Sequence, residues 1–283
     1  MYDAHSIRSA ATADDGRTTV GALLRDWRTR RRRSQMELAL EVGVSPRHLS
    51  FIETGRSKPS AAVLVALADG LDVPPRERNR LFLAAGYAPR YTERHLESAA
   101  MAHVKSALQR LLDAHQPYPG VALDRHWNVV LANAAAEGLV ALVPERLRTP
   151  TLNIFRVSLH PDGLAARTVN FAEWGAYLLE KLHRLGDGDD EMLELEREVH
   201  AFPNVRALVE SDRYKREGAV AQPILLMPCV IELPAGRVSL FTTLTTFGAP
   251  RDITLDELCV ELFYPSDSAS ESILRVMTPT SPD

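Results

Sequence analysis

The pattern of apolar and polar positions divides the chain into two stretches of different character. Up to about residue 90, apolar residues recur at helical spacing between short polar breaks. Val20, Leu23, Leu24 and Trp27 fall on one face of a helix predicted from Val20 to about Arg32. A short second helix, 35–41, turns Leu38 and Ala39 inward, and Gly43 follows where a turn needs a residue at φ > 0. Ser45 as N-cap and Pro46 at the first helical position start a third helix over 45–53, with Val44, Leu49 and Ile52 on its inner side. A fourth helix follows Pro59-Ser60 and ends near Leu71. A fifth runs from Pro74-Pro75 to near Gly86, whose place fits a C-cap. Residues 93–114 then predict one longer helix, striped by Val104, Ala107, Leu108, Leu111 and Leu112 and stopped by Pro117-Tyr118-Pro119-Gly120.

Beyond this point the period shortens. Residues 121–124 and 127–133 read as a hairpin closed by a two-residue turn at Arg125-His126. Residues 134–143 and segments near 151–159, 170–185, 189–201 and 204–211 are helical in pattern. Three runs rich in Val, Ile, Phe and Thr, at 224–234, 236–248 and 257–265, predict strands. A hairpin, a block of helices and a three-stranded meander resemble a PAS-like α+β domain. The expected fold is thus an all-α five-helix domain, then helices over one face of a five-stranded antiparallel sheet. The expected boundaries are a disordered tail over 1–18, a first domain over 19–91, a linker helix over 92–117 and a second domain over 118–278.

Composition sharpens this division. The chain of 283 residues is 45% hydrophobic and 25% charged, ample for a globular core. Its net charge of −4 conceals an asymmetry: residues 17–94 hold 15 Lys+Arg against 8 Asp+Glu, a balance of +7, which leaves −11 for the rest. A basic first unit fits a nucleic-acid surface, and an acidic second unit fits another task. Two cysteines, Cys229 and Cys259, make no disulfide framework. With neither an apolar leader nor a run long enough to span a bilayer, the expectation is a cytoplasmic protein without a membrane partner.

Helices two and three have the spacing of a helix-turn-helix. Arg47, His48, Ser50 and Phe51 remain on the outer side of the second of them, where a recognition helix meets base edges. Thr54, Arg56 and Lys58 come just after it, placed to hold phosphates, and Arg30-Arg31-Arg32-Arg33 ends helix one. A basic run there also complements the helix dipole, but four in a row beside Gln35 exceed that need.

The stretch from Arg47 to Tyr91 contains RHLSFIE, GRS and RERN followed by LAAGYAP. It resembles the Xre/Cro-type helix-turn-helix regulators and, more narrowly, the MmyB-like transcription regulators. LTTFGAPRDITLDELCVELFYPSD, residues 244–267, resembles the end of that family's ligand-binding domain. The resemblance implies a sequence-specific regulator of transcription that binds double-stranded DNA, expected as a homodimer on two half-sites. It implies base reading by Pro46, Arg47, Ser50 and Phe51 and phosphate contact by Gln35, Arg32, Arg33, Thr54, Arg56 and Lys58. For Phe51 a place in the core is the competing reading. The resemblance also implies a pocket for a long-chain fatty acid or a similarly apolar effector, and no other cofactor. Candidate pocket residues are Phe155, Leu159, Phe171, Trp174, Leu178, Met227, Ile231, Phe241 and Phe247, with Arg156, His160 and Asn170 as candidates for its polar end.

Other motifs carry less. Asp187, Asp189 and Glu191 alternate like the start of a calcium loop, but Met192 stands where that loop requires glycine. A solvated loop and an N-capped helix are expected instead. No nucleophile elbow, phosphate loop, dinucleotide fingerprint or zinc-protease motif occurs, so no catalytic residue is expected. Two alternatives stay open: an enzyme targeted or regulated by the first domain, and a second domain that only binds another protein.

Overall fold

The computed structural model describes residues 19–186, 189–211, 214 and 226–277. The chain forms two compact units: residues up to Glu93 together with Arg251–Ile253, and Arg94–Pro250 together with residues from Thr254 on.

The first unit holds five helices: α1 (Val20–Arg30), α2 (Gln35–Glu41), α3 (Pro46–Glu53), α4 (Ala61–Gly70) and α5 (Pro75–Ala84). Each boundary has a local chemical cause. The hydroxyls of Thr19, Ser34, Ser45 and Ser60 cap the first four, and at α2 Ser34 and Glu37 form a reciprocal capping box. All five then end in one way. A left-handed residue, Arg32, Gly43, Gly55, Asp72 or Gly86, follows the C-cap, and the next amide reaches back five residues in a Schellman closure, as in Arg33 N–H to Arg28 C=O at 3.0 Å. This is why α1 stops at Arg30, short of the predicted Arg32.

Leu24, Leu38, Leu49, Ile52, Leu64, Leu67, Leu81 and Phe82 form the buried core of this unit, with Val44 and Trp27 packed against it. Gly21 sets the approach of α1 to α3. A Cβ there would lie 2.3 Å from the Ile52 carbonyl oxygen, so any larger residue drives the two helices apart.

The second unit is built on a five-stranded antiparallel sheet in the order β2-β1-β5-β4-β3. The strands are β1 (Gly120–Leu123), β2 (Val129–Ala132), β3 (Cys229–Leu233), β4 (Gly236–Thr246) and β5 (Cys259–Pro265). The predicted strand over 224–234 is shorter, with 224–225 outside the described residues. The β1–β2 connection is longer than the expected two-residue turn. Asp124 accepts from the amides of His126 and Asn128, both at 2.9 Å, and Trp127 sits at φ 65, which carries its indole into the core.

Helices α7 (Ala134–Val140), α8 (Ile154–Leu159), α9 (Phe171–Leu185), α10 (Asp190–His200) and α11 (Pro203–Glu210) lie between β2 and β3 in sequence. Leu139, Phe155, Trp174, Leu178 and Val199 from four of them join Val121, Ile231 and Leu240 of the sheet in one core. The expected linker helix over 92–117 is corrected. Helix α6 spans Ala102–Ala114. The carbonyl of Arg94 accepts from the Thr254 hydroxyl at 2.7 Å, and Ser98 is extended at φ −69, ψ 150 before a single 3-10 turn, Ala99–Met101. Nor is α6 a free connector: Leu108 and Leu112 pack with Ala122, Leu258 and Val260 in a separate cluster. Asp189 caps α10, and Asp187 lies outside the described residues.

Candidate functional site

On the first unit, α3 presents Arg47 and Phe51 one turn apart. The Arg47 guanidinium lies 5.3 Å from the Phe51 ring centroid, and that of Arg56 lies 5.9 Å away. Phe51 is half-buried and no member of the apolar core. Two cations holding an aromatic side chain outside the core form a ready platform for a base edge or a thymine methyl. Arg47, Thr54, Arg56 and Lys58 are exposed, and Pro46 and Ser50 half-exposed. The Thr54 hydroxyl returns to the Ser50 carbonyl at 2.7 Å, and the Lys58 ammonium rests 4.8 Å from the Tyr87 ring.

A network that the sequence reading missed ties α1, α2 and α3 together. Glu53, at the end of α3, is only 7% exposed. Its carboxylate accepts from Arg28 Nε at 2.6 Å, from a terminal Arg28 nitrogen at 3.0 Å and from Gln35 Nε2 at 2.7 Å. The other terminal nitrogen of Arg28 donates to the Arg33 carbonyl at 2.8 Å. The bond to Glu53 holds the Arg28 guanidinium above its ordinary pKa against the effect of burial. The Gln35 side-chain amide is thus engaged within the domain. Arg33 is ion-paired with Glu41. Arg32 is exposed at the left-handed position.

In the second unit a cavity of about 80 Å³ lies between the sheet and the helices. Trp174, Leu178 and Ile231 line it, together with Val121, Trp127, Leu139, Ile154, Val157, Leu240 and Phe263. The other pocket candidates are elsewhere. Phe155 and Leu159 are fully buried core, and Phe171 and Met227 pack against that core. Phe241 is corrected by strand parity: Val238 and Leu240 point inward on β4, so Phe241 takes the opposite face and stacks on Tyr264 at 5.4 Å. Phe247, beyond the end of β4, is 37% exposed.

The three polar candidates are also corrected. Arg156 is paired with Glu198 at 2.6 Å. His160 packs edge-on against Phe202 at 4.7 Å and accepts from the Asp162 amide; burial pushes its imidazole below the ordinary value. Asn170 bridges the Pro228 carbonyl and the Val230 amide, both at 2.9 Å, so it serves β3. The cavity wall carries Lys181 and Glu261, and the thiol of Cys229 beside them. Glu261 is 4% exposed. Burial raises its carboxyl above the ordinary range, opposed by the charge of Lys181 and a hydrogen bond from Thr242. The Lys181 ammonium sits 3.9 Å from the Trp127 ring centroid and is lowered by burial, with Glu261 opposing. The signal for Glu261 was present in β5: it shares the parity of Cys259 and Phe263, both packed on the inner core.

Among the described residues no cluster of His, Cys, Asp and Glu could hold a metal ion, and no helix is long and apolar enough to cross a membrane. Comparison with known proteins agrees with this two-part design. Residues 19–81 match a helix-turn-helix domain, and residues 104–277 match the MmyB-like transcription regulator ligand binding domain. Similar curated proteins include uncharacterized HTH-type transcriptional regulators of Mycobacterium bovis and of two strains of Mycobacterium tuberculosis. Each is 29% identical over 140 residues, covering 48% of this chain and 51% of the relative. The chain thus spans about half the length of the curated relatives it matches. The chain belongs to the MmyB-like transcription regulators, with a helix-turn-helix domain ahead of that family's ligand-binding domain.

Proposed function

We propose that this chain regulates transcription by binding specific DNA sequences through α3, under control of an apolar effector of the fatty-acid class held in the second unit. The observation that carries the first half is Phe51 held outside the core between Arg47 and Arg56. Pro46, Arg47, Ser50 and Phe51 read bases. Arg32, Thr54, Arg56, Lys58 and the first turn of α2 meet phosphates and set the register. The enclosed cavity, walled by apolar side chains from both sheet and helices, supports the second half. It is smaller than the ~150 Å³ that accommodates benzene in an engineered apolar cavity. A long aliphatic chain therefore enters by displacing the side chains around it. A dimer on two half-sites about one helical turn apart supplies the selectivity that one small domain lacks.

Selection of bound sequences from a random pool, followed by titration at several salt concentrations, tests the DNA reading. Arg47→Ala should relax preference at one base position, by about 1–3 kcal/mol. Arg56→Ala should weaken every site alike and flatten the salt slope by about one unit. An Arg47→Ala protein with the parent's full sequence preference refutes the assignment of the reader.

A further inference from the structure

Among the described residues, Glu261 Oε2 is the one buried side-chain polar atom on the cavity wall without a hydrogen-bond partner. Two neighbouring hydroxyls are engaged. The Thr168 hydroxyl, also on the wall, donates to the Leu164 carbonyl at 2.9 Å, and Thr242 is engaged with Glu261 itself. The Lys181 ammonium rests on the Trp127 ring. An unmet acceptor in an apolar enclosure is costly to leave unpaired. The charged and titratable groups around it are Lys181 and Tyr177 on α9, Cys229 on β3 and Cys259 on β5. Lys181 alone brings positive charge near it, enough to offset one carboxylate and not two.

We propose that Glu261 is the polar end of the effector site, with Lys181 as its counter-charge. It accepts from an apolar molecule that ends in a hydrogen-bond donor: a hydroxyl, or a carboxyl that enters with its proton. The inference rests on the apolar-effector reading and adds the head group. An ionised carboxylate brought against Glu261 would set two negative charges beside one ammonium. A carboxylic acid therefore enters by taking one proton from solvent, which ends up between the two carboxyls.

Calorimetric titration of the full chain with octanol, octanoate and methyl octanoate at pH 7.5 tests this. Octanol and octanoate should each bind at least about tenfold tighter than the ester, since a hydrogen bond to a charged acceptor is worth about 1.5–3 kcal/mol. Octanoate binding should take up one proton, seen as a heat that changes with the ionisation enthalpy of the buffer. Glu261→Gln keeps shape and an acceptor oxygen but loses the charge, so the advantage of octanol over the ester should shrink to about threefold. An ester that binds as well as octanol overturns the head-group assignment and leaves the apolar-effector reading standing. So does octanoate binding without proton uptake, which would make Lys181 the reader of a carboxylate. No binding by any of the three removes both readings.

Discussion

Glu53 is the residue on which the geometry of the helix-turn-helix unit turns. Replacing it with Met removes three hydrogen bonds, two from Arg28 and one from Gln35. It also strands a guanidinium whose side chain is only 14% exposed. Breaking one side of such a buried pair costs about 3–5 kcal/mol, because the remaining charge stays desolvated. A unit of this size has roughly 4–11 kcal/mol of stability in all, so the loss is about a quarter of it or more. Hydrogen exchange of the α3 amides, read by mass spectrometry on the full chain, reports this directly. Exchange should accelerate by roughly 150- to 5,000-fold, at about 1.4 kcal/mol per decade, while peptides from β4 and β5 keep their parent rates. Arg28→Met alone should cost a similar amount. The Arg28→Met/Glu53→Met double variant should recover most of the loss, since an apolar pair of similar volume leaves no orphaned charge. If Glu53→Met changes exchange in α3 by less than about fivefold, or if the double variant equals the sum of the singles, the network does not hold the three helices together.

Three further outcomes are expected. Asn133 is buried and makes four hydrogen bonds, to the Gly120 and Ala136 amides and the Leu112 and Tyr118 carbonyls. Asn133→Ala should therefore destabilise the second unit by about 3 kcal/mol or more, and an unchanged urea midpoint contradicts this. Burial pushes the Cys229 thiol up to about 12 and that of Cys259 up to about 11, so iodoacetamide at pH 8 should label neither within an hour in the native chain and both after unfolding. Because the Glu261 carboxyl is raised in the fold, its contribution is fully present below the unfolded value and is lost as pH rises through the folded one. The melting temperature of Glu261→Gln relative to the parent should therefore climb between pH 4 and pH 8, and a flat or falling difference refutes that sign.

The sequence made several helix starts legible because each rests on one or two side chains next to it: Ser45, Ser60 and the Pro74-Pro75 pair. Helix ends were legible where glycine marked them, at Gly43 and Gly86. The end of α1 was illegible, because Arg32 adopts the same left-handed turn without glycine's signature. The PAS-like sheet followed from strand order and from alternation. The pocket did not, because a lining residue such as Trp174 and a core residue such as Phe155 have the same chemistry and differ only in whether space lies beside them. Phe241 was misassigned for want of register: a shift of one position moves a side chain to the other face. The polar end was sought near the aromatic helices, where Arg156 was spoken for by Glu198, 42 residues away in sequence. Strand parity on β5 would have placed Glu261 on the cavity side.

Control of DNA affinity by a bound molecule requires that the molecule favour one arrangement of the protein over another; tight binding alone shifts nothing. Strand β5 is built to feel such a preference on both of its faces. Glu261 and Phe263 border the cavity, while Val260 and Leu262 pack with Leu108 and Leu112 of α6. That helix is the first long element after the DNA-binding unit in the chain, so a ligand that displaces β5 works against it through close-packed side chains. Leu108→Ala loosens that contact at about 2–5 kcal/mol of stability, which a unit of this size tolerates. If α6 transmits the signal, effector binding itself should change by less than about threefold. The shift in operator affinity caused by effector, expected at about 5- to 150-fold in the parent, should fall toward one. Measuring operator affinity with and without octanol in both proteins decides the matter. A variant that keeps the parent's full shift shows that the signal leaves the sheet by another route.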